Sequence, residues 1–451
     1  MLDAATFNTL RLFRAKVYHR FGVRRDALFE VLDAATVVGV VPSLAYLSLA
    51  PVHRRRWGSL YDALATGRLD AAALRDLLAG SPLDDGQPIY ALDTSVWPRD
   101  DAETSPGRGH YFSSSRQSAG QPIVTGWSYA WLAQLSLTHD SWTAPLDVQR
   151  VPAGGDAHAV AAAQIAELVE HLPADGPVPL CVFDAGYDPV KLARELAELD
   201  GEQVAVLVRL RSDRCFYADP LPPPGSKVGR PRQHGQKFAC ADAGTWWAPT
   251  QQHAEEHAQY GRVRVRAWAG VHAKTQNHPA RGSYRPKAIV RGTLVLVEVE
   301  RLPRQTRIPK RLWLWWRGPG QPDLALIWRA YVRRFDLEHT YRFCKQTLNW
   351  TKPRVRTPQQ ADRWTWLVVL AYTQLRLARR TLADVHLPWE APQRPDRPVL
   401  TPARVRQAFP QLLVILDTPA NAPKPCGRSP GRPKGARSRP APRFPAFKKA
   451  A

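Results

Sequence analysis

The sequence predicts an α/β protein built in several parts: a helical N-terminal region, a mixed α/β centre, a β-rich insertion, two closing helices and a basic tail. Three observations carry this. A chain of 451 residues exceeds what one core ordinarily holds, so two or three domains are expected. Apolar residues recur at helical spacing before residue 86, at strand-like spacing through the middle, and at helical spacing again after about 319. The last thirty or so residues lack the apolar content that a core requires.

Residues 1–85 read as short helices: "LFRAKVYHRFG", "RRDALFEVLDAATVVGV", "PSLAYLSLA" and "AAALRDLLAG". Basic residues between the apolar ones suit a helical DNA-binding domain. The uncharged run from Ala34 to Val52 is long enough to suggest a membrane span, but Gly39, Pro42 and Pro51 interrupt it. A buried helix–turn–helix fits it better.

From 86 to 211 the order is three strands, helix, strand, helix, strand, which describes a mixed α/β domain. The strands are "QPIYALDTSVW" (87–97), "PIVTGWSYAWLAQLSL" (122–137), "WTAPLDVQRV" (142–151), "VPLCVFDAGYD" (178–188) and "EQVAVLVRLR" (202–211). The helices are 156–172, with Asp156 as its N-cap, and 189–199. The first and fourth strands are expected to end in acids, Asp93 and Asp184. Residues 212–318 hold a Pro-rich loop and alternating segments such as "RVRVRAWAGV", the pattern of a β-rich insertion. Two long helices, about 323–349 and 357–385, fall within 319–390. The remainder, 391–451, is rich in Pro and Arg and is expected to be mostly disordered until it meets a partner.

The net charge of +23 calls for a polyanionic partner, and nucleic acid comes first. An anionic membrane comes second, but no segment has the pattern of a lipid-binding basic helix. Five cysteines without a CxxC pair argue against a zinc site or a disulfide framework and suit a reducing cytosol. The first ten residues have an early acid and no apolar core of a signal peptide.

The stretch "YVRRFDLEHTYRFCKQ" (331–346) carries the most chemistry. On one continuous helix, Tyr331, Arg334, Glu338 and Lys345 fall within a sector of about 60°, with Val332, Leu337, Phe343 and Cys344 opposite. One carboxylate among so many cations suggests a face that gathers phosphate oxygens and supplies one metal ligand. Asp93 in "LDTS" and Asp184 in "FDAGYD" offer two more. Clustered acids of this kind hold hard divalent cations, and two such ions catalyse phosphodiester displacement without an activated side-chain nucleophile.

Tyr331-x2-Arg334-x3-Glu338-x6-Lys345 resembles, without a gap, the Y-R-E-K signature of bacterial cut-and-paste insertion-sequence transposases of the DDE type. Asp93 and Asp184 resemble that family's first and second acid motifs, in order and 91 residues apart. The 154 residues from Asp184 to Glu338 resemble the β-rich insertion inside its RNase H-like catalytic domain. The resemblance implies that Asp93, Asp184 and Glu338 hold two Mg2+ ions, with Mn2+ as a substitute. It implies that Tyr331, Arg334 and Lys345 contact DNA phosphates, and that a homodimer acts on double-stranded DNA at element ends and target. A bacterial cytoplasmic protein, on the nucleoid when bound to DNA, would follow. Trp246, Trp247 and Trp268 are candidates for stacking on a flipped base, against a plain core role. Arg230 in "VGRPR" and Arg432 in "PGRPKG" resemble the Gly-Arg-Pro centre of minor-groove hooks. Two other readings share these residues: an inactive DNA-binding descendant of a transposase, and a hydrolytic RNase H-like nuclease.

Overall fold

The computed structural model describes residues 4–83, 88–113, 120–138, 140–197, 199, 203–221, 232–274, 289–302, 311–392, 399–425, 427, 431, 433–437 and 442–448. Along the chain come helices α1 (Ala4–His19), α2 (Arg25–Val37), a 3-10 turn (Leu44–Leu49), α3 (Trp57–Thr66) and α4 (Ala71–Ala79). Strands β1 (Ile89–Pro98), β2 (Gly109–Phe112), β3 (Ile123–Gln134) and β4 (Ala144–Val151) follow. Next are α5 (Ala157–His171), β5 (Leu180–Phe183), α6 (Pro189–Glu195) and β6 (Ala205–Leu210). The following stretch holds β7 (Cys215–Tyr217), β8 (Lys237–Ala239), β9 (Gln251–His257), β10 (Gly261–Ala273), β11 (Arg291–Val299) and β12 (Arg311–Arg317). Helices α7 (Leu324–Arg333), α8 (Phe335–Gln346), α9 (Pro358–Ala378) and α10 (Pro402–Leu416) complete the set.

Two compact units result: residues 1–85, 94–157 and 336–451 form one, and 86–93 and 158–335 the other. The first is organised around α9, buried along almost its whole length and packed against α1, α2, α3, α10 and β4. A capping box fixes its start, with Thr357 accepting from the Gln360 amide and the Gln360 side chain accepting from the Thr357 amide. Arg14 on α1 is buried and donates to Asp33 on α2 (2.6 Å) and to Gln374 on α9 (2.5 Å). One guanidinium thus ties three helices. Residues 1–85, expected as a domain of their own, belong to this larger unit because the apolar faces of α1 and α2 close on α9.

In the second unit the strand order is β1-β5-β6-β12-β11-β10-β7-β8, with β9 beside β10. β1, β5 and β6 are parallel and the others antiparallel. Burial follows: β5 is apolar at every position, as a central parallel strand requires, whereas β9 alternates exposed and half-buried. Trp268, Phe238, Trp313 and Trp315 form a buried aromatic core among β8, β10 and β12, with Trp246 and Trp247 packed at its margin. The Trp268 indole donates to the Trp247 carbonyl (2.8 Å). A ring in that position packs the core rather than stacking on a base.

Several expectations need correction. Asp93 does not end its strand, since β1 runs on to Pro98. What ends at Leu92 is the pairing with β5. The helix expected over 323–349 is two helices, interrupted at Arg334, whose amide is shared between the Ala330 and Tyr331 carbonyls. Neither Gly nor Pro marks that break. Helix α3 and strand β2 were not anticipated. The tail is more ordered than its composition suggests. Helix α10 buries Val405, Phe409 and Leu412, Asn421 bonds Asp26, and the Phe447 ring stacks on His110 at 4.6 Å. Scattered apolar anchors, spaced too widely to show as a pattern, are enough to dock a Pro-rich chain on a finished surface.

Candidate active site

Three parallel strands build the candidate site from the backbone up. In the β1–β5 ladder the last registered pair is Leu92 with Phe183, and in the β5–β6 ladder it is Phe183 with Val208. Asp93 and Asp184 directly follow the last pair of the β1–β5 ladder, and Arg209 directly follows the last residue of β6 paired with β5.

Each acid is held by its surroundings. Asp184 is half-buried, and its Oδ1 accepts from the Gly186 amide at 2.7 Å. A Cβ at Gly186 would lie 2.9 Å from that oxygen, so a glycine is what lets the carboxylate fold over the turn. Asp93 receives Arg334, whose Nη1 lies 3.3 Å from its Oδ2, with side-chain exposures of 7% and 18% for the arginine and the acid. Arg334 lies 5.8 Å over the ring of Tyr331, which orients the guanidinium plane. A buried cation beside the Asp93 carboxylate favours its charged form.

Beside Asp184 a cleft of about 240 Å³ is lined by Ala185, Asp188, Arg209, Arg211 and Arg214, among others. Asp188 caps α6 by accepting from the Val190 and Lys191 amides, and it pairs with Arg214 at 2.8 Å. Burial pushes its pKa up, but the Arg214 and amide hydrogen bonds outweigh that and hold it below the usual carboxylate value. Asp188 is therefore a structural acid. Arg209 and Arg211 are exposed and were missed from sequence. Their signal was the basic end of "VLVRLRSDR", legible only once β6 is known to lie next to β5.

The structure brings Asp93, Asp184, Arg334 and Tyr331 into one compact unit. Glu338 and Lys345 fall in the other, where both are half-buried and the Lys345 ammonium lies 5.6 Å over the Trp350 ring. Arg230 and Arg432 lie outside the described residues. Among the described residues, no group of three or more His, Cys, Asp and Glu side chains is gathered to hold a metal ion. The paired strand-edge acids still suit one: Mg2+ takes one or two carboxylates and completes its shell with water and phosphate oxygens. Asp93 and Asp184 are donors of that kind.

The sequence family described as DDE superfamily endonuclease matches residues 16–274. The chain belongs to that family. The match contains both Asp93 and Asp184 and stops before Tyr331, Arg334, Glu338 and Lys345. No curated protein matches this endonuclease. Membership makes it a transposase-type nuclease with DNA as its substrate, in a superfamily that generally uses divalent metals. No helix among the described residues is long and apolar enough to cross a membrane.

Proposed function

We propose that this endonuclease is an insertion-sequence transposase that binds the terminal repeats of its own element, cuts the DNA and joins the 3′ ends to a target. The observation that carries the reading is that Asp93 and Asp184 directly follow the last pair of the parallel β1–β5 ladder, inside the stretch that matches the family. In this reading Asp93, Asp184 and Glu338 are the metal-binding acids, and Mg2+ or Mn2+ would supply an activated water or 3′-hydroxyl and stabilise the leaving oxygen. Arg334 holds the Asp93 carboxylate in place and offsets its charge before DNA arrives. Arg209, Arg211, Tyr331 and Lys345 take phosphate oxygens, as guanidinium, phenol and ammonium donors do. The active species is a homodimer on double-stranded DNA in the bacterial cytoplasm.

The test uses purified full-length protein, the DNA ends that flank its gene, and Mg2+ or Mn2+. Cleavage followed by strand joining is expected. Asp93→Asn, Asp184→Asn and Glu338→Gln should each lower cleavage by about 10³-fold or more while leaving end binding near the wild-type level. Retained cleavage in any of the three removes that residue from the set. Ends bound but never nicked would mean a binding protein only. Nicking without joining would mean a hydrolytic nuclease.

A further inference from the structure

A second feature lies in the N-terminal-helix unit and is not used by the acids. Trp57, Tyr61 and Leu64 lie at i, i+4 and i+7 on α3, one stripe of the helix. Leu64 is buried, but Trp57 and Tyr61 are 63% and 40% exposed, with their rings edge to face at 6.0 Å. They line a groove of about 670 Å³ whose other wall carries Arg354, Arg356 and Gln360. Both arginines are exposed, Arg354 at 86% of its side chain.

The groove is preformed. Arg363 on α9 donates to the Leu64 carbonyl at 2.7 Å, which fixes the end of α3 against α9. The Gln360 side chain accepts from the Arg356 and Thr357 amides at 2.8 and 3.1 Å, and the Val355 carbonyl accepts from Arg99. The arginine-bearing loop is therefore anchored on both sides. Exposed aromatic rings on a fixed scaffold, with cations at the rim, match one kind of polymer better than others. An apolar protein partner would be served by the rings but would leave two exposed arginines of the opposite wall without anions. Duplex DNA offers phosphates but keeps its base faces stacked inside. Unpaired DNA offers both a backbone for the arginines and free base faces for the rings.

We propose that the groove between α3 and the 354–356 loop binds an unpaired segment of DNA, with a base stacked on Trp57 and its flanking phosphates held by Arg354 and Arg356. This rests on the reading that the protein acts on DNA, and it adds a binding site away from the strand-edge acids. Opened or nicked ends supply single strands of this kind.

Fluorescence anisotropy of a labelled oligo(dT) of about twenty nucleotides with the full-length protein tests it, alongside a duplex of the same length. Trp57→Ala should weaken oligo(dT) binding about tenfold and leave duplex binding within about twofold. Trp57→Phe should restore most of the loss, because a phenyl ring still stacks. Arg354→Ala with Arg356→Ala should weaken oligo(dT) binding and flatten its dependence on salt. Thermal melts equal to wild type would show that the variants fold. Oligo(dT) binding unchanged in Trp57→Ala, with duplex binding and cleavage intact, overturns this proposal alone. Loss confined to the arginine variant overturns the stacking role. A wild-type protein that binds neither oligonucleotide overturns both this proposal and the transposase reading. A Trp57→Ala change that alters oligomeric state and leaves DNA binding untouched assigns the groove to a second copy of the chain instead.

Discussion

Replacing Arg334 with Gln removes the cation that lies 3.3 Å from Asp93 and leaves two neighbouring carboxylates without it. At that distance and an effective dielectric constant of about 20, the gross attraction is about 5 kcal/mol. Desolvation of the arginine opposes it. Breaking a well-buried pair costs about 3–5 kcal/mol and a surface pair about 0–1. Exposures of 7% and 18% place this pair between those limits, so a loss of about 2 kcal/mol is expected. For a unit of this size, about 2–4 °C per kcal/mol lowers the melting temperature by about 4–8 °C. The measurement is calorimetry in EDTA and again in excess Mg2+. A divalent cation held by the acids would take over the neutralising role, so Arg334→Gln should gain more from Mg2+ than wild type does. Equal melting temperatures in EDTA would refute the structural role of the pair. An equal Mg2+ gain in both proteins would refute the idea that the arginine and the metal share the Asp93 carboxylate.

Three further outcomes are expected. Trp268→Ala should destabilise the protein by about 3–5 kcal/mol, seen as a lower denaturant midpoint, because the ring is fully buried in an aromatic core; an unchanged midpoint would return it to the list of base-stacking residues. His272 is fully buried, and its pKa is lowered from 6.5 first by that burial and then by His234, 2.9 Å away. The unfolded chain therefore takes up a proton that the folded one resists, so this contribution to stability is present above pH 6.5 and is lost as pH falls toward the folded value. Melting temperature against pH should decline below 6.5 in wild type and less steeply in His272→Gln. Deleting residues 422–451, which carry nine Lys and Arg, should flatten the salt dependence of duplex binding, measured as the slope of log affinity on log salt concentration.

The apolar strands that lead into Asp93 and Asp184 were legible in the sequence. "YALD" and "CVFD" announce apolar strands meeting acids, a carboxylate being out of place within a run buried on both faces. The role of Asp188 came only from the structure, where it caps α6 and pairs with Arg214. The break at Arg334 was not legible, since the helical pattern continues across it and neither Gly nor Pro marks it. Trp57 and Tyr61 escaped notice because α3 is short and its aromatic spacing looks like that of any core-facing helix.

The sequence by itself determined that the apolar strands β1 and β5 lead into acids, that the protein is strongly cationic, and where most helices and strands fall. These are local matters of periodicity, capping and charge. Only the tertiary structure decided which strands are neighbours, and so that Asp93 and Asp184 follow the end of one parallel ladder, that Arg334 first answers an acid rather than a phosphate, and that two aromatic rings stay uncovered. Register and burial are properties of pairs of segments far apart in the chain, and no window of sequence contains both members.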